Sequence, residues 1–205
     1  MKLSGLGNDD VQIEKQEVLF DGFMRLSKYT LRHRLFDGGR SPLLEREAIT
    51  RCPSVGVLLF DPVLHSVVLV EQFRIGPYLG NDDPWMLEVV AGISEPGEAL
   101  EDVAYREVKE ETNCCVERLF PIANIYLSPG GANEKIMLYC GTVDSSKAGG
   151  IYGLDEEGED IKVHVLSFEK AYMMVLDGRI CNAPAVMALQ WLKLSYSEVI
   201  KSAQA

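Results

Sequence analysis

The segment from Gly92 to Cys114, G-I-S-E-P-G-E-A-L-E-D-V-A-Y-R-E-V-K-E-E-T-N-C, constrains the chain more than any other stretch. It has the period of an amphipathic helix from about Ala99 to Thr112, yet carboxylates stand where apolar residues belong. At about 100° per residue, with Leu100 at zero, Val103, Ala104 and Val108 fall at roughly 300°, 40° and 80° and define the apolar stripe. Glu107, Glu110 and Glu111 fall at roughly 340°, 280° and 20°, inside or beside that stripe. Glu101, Asp102, Lys109 and Thr112 are expected on the solvent side. Carboxylates turned inward lose hydration and repel one another. A bound cation resolves the conflict, and an oxygen-only ligand set suits Mg²⁺ or Mn²⁺ rather than zinc. A run of Glu on a helix is ordinarily a solvated face, but such a run would sit opposite the Leu and Val residues. A salt-bridge network with Arg106 accounts for one Glu, not for all.

The rest of the chain bounds the function classes. Its 205 residues suffice for one full domain with a small N-terminal addition, and an ordinary globular balance of 47% hydrophobic and 25% charged residues supports a sizeable core. A net charge of −11 disfavours nucleic acid as partner. Five Cys without C-x-x-C spacing read as reduced, mostly buried thiols, which points to the cytoplasm. No apolar run reaches membrane-spanning length, and the N-terminus lacks a secretory apolar core.

Two parts are expected. Residues 1–52 form an antiparallel strand unit: alternation from about Val18 to Phe36, a turn at Asp37-Gly38-Gly39, and a returning strand from Leu43 to Arg51. This unit has little core and must pack on the main domain or on a partner subunit. Residues 53–205 form the main domain. Strands are expected at S-V-G-V-L-L-F, at S-V-V-L-V-E-Q-F-R and at W-M-L-E-V-V-A-G, with a loop from Gly76 to Pro84 between the last two. After the acidic helix come strands near Leu119–Tyr126 and Lys135–Val143, an acidic loop from Tyr152 to Asp160, and a strand I-K-V-H-V-L. Helices over about Phe168–Leu176 and Ala183–Lys201 close an α+β arrangement around a mixed sheet.

Gly92, Glu98, Arg106, Glu107, Val108, Glu110, Glu111 and Cys114 together resemble the Nudix hydrolase signature. The chain departs where the signature's second Gly is Asn113, the next best residue for a left-handed helix end. The resemblance implies an α/β/α sandwich and hydrolysis of a nucleoside diphosphate linked to another group. The segments V-E-Q-F-R-I, M-L-E-V-V-A-G, S-P-G-G-A-N-E-K, G-L-D-E-E-G-E-D-I-K-V-H-V and A-P-A-V-M-A-L-Q-W-L are similar to the ADP-ribose pyrophosphatase branch. They cover most of the chain from about Glu45 to Leu194.

The resemblance implies roles residue by residue. Glu107, Glu111, the Ala91 carbonyl and Glu159 would hold Mg²⁺, with Mn²⁺ as a substitute. Glu157 would be the base, Glu110 would ligate or support the metals, and Glu98 would brace the loop or an outer water. Arg106 would orient Glu98 or a ligand carboxylate. Arg74 would contact phosphate. Glu134 would either support the metal site from outside or touch the terminal ribose. Phe23 and Arg46 would sandwich adenine, one of them coming from the other subunit of a swapped homodimer. Read without the family, Arg74 is a surface charge, Phe23 is core or dimer interface as readily as a base-stacking ring, and D-E-E-G-E-D is a solvated loop. His33, His65 and His164 read as structural, and Trp85 and Trp191 as core. The implied reaction is ADP-ribose plus water giving AMP and ribose 5-phosphate. GDP-mannose or another nucleoside diphosphate sugar is the alternative substrate, and a non-catalytic ADP-ribose sensor a more distant one.

Overall fold

The computed structural model describes residues 3–203. The chain forms two compact units, one of residues 1–52 with 126–134, the other of residues 53–125 with 135–205.

The first unit is a three-stranded antiparallel sheet, β1 (Val11–Asp21), β2 (Arg25–His33) and β3 (Leu44–Thr50), in that order. The β2–β3 hairpin spans the expected Asp37-Gly38-Gly39 turn, where Gly38 takes φ 101°. The earlier half of the unit differs from expectation. Gly22 to Met24 make a second turn, so the alternation splits between two paired strands. The register of β1 on β2 slips at two bulges, which the period-2 pattern hides.

The second unit is built on an eight-stranded mixed sheet with central order β10-β11-β5-β4-β9-β8. Its strands are β4 (Ser54–Asp61), β5 (Ser66–Phe73), β6 (Trp85–Glu88), β7 (Val90–Ile93), β8 (Arg118–Tyr126), β9 (Lys135–Thr142), β10 (Gly150–Tyr152) and β11 (Ile161–Ser167). β4 runs parallel to β9 and antiparallel to β5 and β7. The helices are α1 (Ile75–Leu79), α2 (Leu100–Thr112), α3 (Phe168–Leu176) and α4 (Ala183–Ala203).

β4 is buried along its whole length because both of its faces are covered. Val55, Val57 and Leu59 pack with Val103, Ala104 and Val108 of α2. Leu58 and Phe60 pack with Phe168 and Ala171 of α3 and Ala188, Leu189 and Leu192 of α4. β5 alternates in the same way, Val68 and Val70 toward α2, Val67 and Leu69 toward the helix pair. Each such side chain contributes about 1.5–3 kcal/mol by leaving water. The result is the expected α/β/α sandwich, and it presses α2 against the sheet.

α2 ends as its sequence requires. Asn113 takes the left-handed conformation, φ 55° and ψ 12°, and its N–H donates to the Lys109 carbonyl. Several local expectations need correction. Thr112 is 1% exposed, not solvent-facing. At roughly 120° on the wheel it borders Val108, and its Oγ1 finds the Val108 carbonyl, so burial leaves no orphan. The Gly76–Pro84 loop begins inside the short helix α1. W-M-L-E-V-V-A-G is two strands, β6 on β5 and β7 on β4. Trp85 is 60% exposed, its ring edge-on to Phe73, rather than core. Cys52, Cys115 and Cys181 are exposed, leaving only Cys114 and Cys140 buried; all five are free thiols.

Candidate active site

α2 and β7 build the centre of the site. The Glu111 side chain is buried, at 2% exposure, and its Oε2 has no hydrogen-bond partner. Burial pushes its pKa well above the usual carboxylate range, and the charges of Glu107 and Glu159 push it further. The Ala91 backbone amide and the Arg74 charge act in the opposite direction but do not offset this. Glu107, one turn earlier, is also raised, first by burial, with Glu110 and Glu159 adding to it against Arg106. Glu107, Glu111 and Glu159 therefore share one electrostatic neighbourhood. A Cβ on Gly92 would collide with the Glu107 side chain, so glycine here leaves that carboxylate its place.

Arg106 ties the motif together, and it engages three glutamates, Glu98, Glu107 and Glu110, where one was expected. Its Nη1 donates to Glu107 Oε1 at 2.8 Å and to Glu110 Oε2 at 3.2 Å, and its Nε donates to Glu98 Oε1 at 3.2 Å. Glu98 Oε2 in turn accepts the Glu95 N–H at 3.1 Å. The Arg106 hydrogen bond is the main reason that the Glu98 carboxyl lies below its ordinary pKa. The Arg106 guanidinium is itself raised, first by that same hydrogen bond.

The acidic loop closes on itself beside α2. Glu159 Oε2 accepts the Leu154 N–H at 3.1 Å, and Gly153, at φ 110°, leaves room for the Glu159 side chain. Glu157 ends a single 3-10 turn, with an exposed side chain. Among the described residues no three Asp, Glu, His or Cys side chains stand ready-made around one point. Arg106 and the Leu154 amide already engage Glu107 and Glu159. The donor chemistry still fits a hard cation: an orphaned buried carboxylate oxygen, two neighbouring carboxylates, and no sulfur or imidazole among these groups.

Arg74, just before α1, is fixed by Glu88 on β6. Its Nε and Nη2 reach Glu88 Oε2 at 2.9 and 2.8 Å. Its charge is felt at Glu111, so Arg74 belongs to this neighbourhood and is not merely a surface cation. Glu88 was not singled out from the sequence. The signal was present, an acid inside the apolar run M-L-E-V-V whose side chain is only 15% exposed. His164 Nε2 lies 2.7 Å from Glu71, and His65 Nδ1 lies 2.7 Å from the Tyr196 hydroxyl, contacts that suit structural histidines.

The remaining expected residues lie in the first unit. Phe23, in the β1–β2 turn, is 83% exposed, and the Arg51 guanidinium lies over its ring at 5.8 Å. Arg51 Nη1 donates to Glu134 Oε2 at 3.3 Å. Phe23 and Glu134 are thus linked through Arg51, which sequence reasoning missed. Arg46 stands across from Tyr29 on β3, exposed, with its Nη1 on the Glu45 carbonyl. Within the chain, the cation over Phe23 is Arg51 rather than Arg46.

Known proteins resemble this chain in sequence and in fold. Residues 50–189 match the family model described as NUDIX domain. An ADP-ribose pyrophosphatase of Escherichia coli strain K12 is 47% identical over 190 residues, covering 93% of this chain and 91% of its own. One from Haemophilus influenzae is 42% identical, covering 98% and 94%. A GDP-mannose pyrophosphatase of Pectobacterium atrosepticum is 31% identical, covering 88% and 92%. The crystal structure of an ADP compounds hydrolase superposes with a TM-score of 0.69 over 95% of this chain and 96% of that one, at 18% identity, a likeness of fold. A glutamate-bearing helix with its guanidinium brace, folded against a mixed sheet in a chain that matches this family model over most of its length, makes the chain a member of the Nudix family.

Proposed function

We propose that this chain is a magnesium-dependent ADP-ribose pyrophosphatase, hydrolysing the diphosphate to AMP and ribose 5-phosphate. The observation that carries the reading is the buried Glu111 carboxylate, with one oxygen unpartnered, beside Glu107 and Glu159. The names of the relatives above 40% identity support ADP-ribose as the substrate. Glu107, Glu111, Glu159 and the Ala91 carbonyl would hold Mg²⁺, or Mn²⁺ in its place, and Glu110 would support them. Bound there, the cations would neutralise diphosphate charge and make water a better nucleophile.

The chain's own groups do the rest. Arg74 binds a phosphate oxygen from the position that Glu88 gives it. Arg106 sets Glu107 and Glu110 on α2, and through Glu98 ties the motif loop to the helix. Glu157 takes the proton from the attacking water at its carboxylate. Its exposed loop suits a group that joins the site as substrate arrives. Residues 1–52 serve dimerisation and base binding, with Phe23 and Arg46 stacking adenine across a swapped homodimer, while Glu134 either supports the metal site from outside or touches the terminal ribose. Exposed Val11, Ile13, Val18, Leu19 and Phe20 on β1 support an apolar partner surface there. Five free thiols support a reducing, cytoplasmic setting.

A magnesium-dependent assay on ADP-ribose beside GDP-mannose, ADP-glucose and a nucleoside triphosphate tests the reading. Preference for ADP-ribose, with AMP as product, is the expected result. Preference for GDP-mannose would favour the second reading, which the 31% identical relative supports.

A further inference from the structure

Among the described residues, four buried side-chain polar atoms lack a hydrogen-bond partner: Ser27 Oγ, Gln72 Nε2, Glu111 Oε2 and Thr142 Oγ1. Ser27 lies in the first unit. Thr142 stands across from Phe60, at the far end of β4 from the Gly56–Ala91 pairing. Gln72 is different, because the strand register carries it to the site. It follows Val70 by two residues on β5, and Val70 packs in the α2 core, so Gln72 takes the α2 side of the sheet. Arg74 comes two residues later on the same side. Gln72 pairs with Met86 on β6. On its other flank the register Lys162–Glu71, one step on, brings Ile161, which shares the α2 core and stands two residues from Glu159.

An orphaned acceptor on α2 and an orphaned donor on the α2 side of β5 thus belong to the same layer of the unit. Glu111 Oε2 suits a cation, and Gln72 Nε2 suits an anion's oxygen. A buried amide N–H without a partner is destabilising, so its partner is expected to arrive with a ligand. We propose that Gln72 is a substrate-binding residue whose Nε2 donates to a non-bridging diphosphate oxygen beside Arg74. This rests on the diphosphate-hydrolase reading above.

Gln72→Met in the full chain tests it, since methionine keeps the length and volume and removes the donor. Expected is a kcat/KM for ADP-ribose lower by on the order of ten- to a hundredfold, with a thermal midpoint equal to or above wild type. The variant should also lose most of the midpoint rise that inorganic pyrophosphate produces in the presence of Mg²⁺. A kcat/KM within about twofold of wild type with an unchanged pyrophosphate response would overturn the proposal. So would a variant that melts well below wild type or fails to fold, since the amide would then be satisfied and structural. If wild type does not hydrolyse ADP-ribose but its pyrophosphate response is lost in Gln72→Met, the substrate reading falls and the role of Gln72 stands.

Discussion

Replacing Glu111 by Gln should stabilise the protein when metal is withheld. In the folded chain Glu111 is 2% exposed, and burial followed by the charges of Glu107 and Glu159 raises its pKa well above 4.5. A carboxyl raised in this way contributes stability that is fully present below its unfolded value and lost as pH rises through the folded one. At neutral pH the metal-free protein therefore carries a strained group. An uncompensated buried charge costs about 3–5 kcal/mol, and an unsatisfied neutral amide about 1–3 kcal/mol. The substitution should thus gain about 2 kcal/mol above the ordinary carboxylate pKa, and little below it. For a chain of 205 residues, with about 2–4 °C per kcal/mol, the midpoint should rise by about 4–8 °C in chelator near pH 8. Saturating Mg²⁺ at about a hundred times its Kd should stabilise wild type by about 2.7 kcal/mol, and the variant much less. The two proteins should then exchange order of stability. Thermal unfolding in chelator and in Mg²⁺, at about pH 4.5 and pH 8, measures all of this. A variant that melts below wild type in chelator, or that gains as much from Mg²⁺, would refute the argument that Glu111 is held for a cation.

Two other substitutions separate the remaining roles. Glu157→Gln should lower kcat by about 10²–10⁴ while leaving the Mg²⁺-induced midpoint shift intact, and near-normal turnover would remove Glu157 from the reaction. Glu88→Ala should release Arg74 and raise KM for ADP-ribose by about three- to tenfold with kcat little changed; steady-state kinetics with an unchanged KM would show that Arg74 needs no anchor.

The main domain was legible because its signals are periodic. β4, β5 and β11 read as strands, and α3 and α4 as helices, since both sheet faces are covered and the apolar runs are long. The acidic helix was legible through conflict, with Glu111 on the angle of a core residue and in fact buried like one. Legibility ended where side chains choose partners. Thr112 looked solvent-facing until its hydroxyl found a backbone carbonyl. Trp85 looked like core, but at the start of β6 it stays largely exposed, edge-on to Phe73. Arg51 and Glu88 carry no motif of their own, and each matters through long-range contacts, Arg51 with Glu134 and Phe23, Glu88 with Arg74. Gln72 looked like any strand residue, because an unsatisfied donor is visible only when its surroundings are. The β1–β2 turn was hidden by bulges that break the alternation.

Inward-facing glutamates are expected to hold a divalent cation for cleaving the diphosphate of ADP-ribose. Product analysis after incubating the wild-type chain with ADP-ribose tests it most directly, with and without Mg²⁺. AMP and ribose 5-phosphate are expected in equal amounts, and neither when chelator replaces the metal. Intact ADP-ribose in the presence of Mg²⁺, or cleavage that chelator leaves untouched, would contradict it.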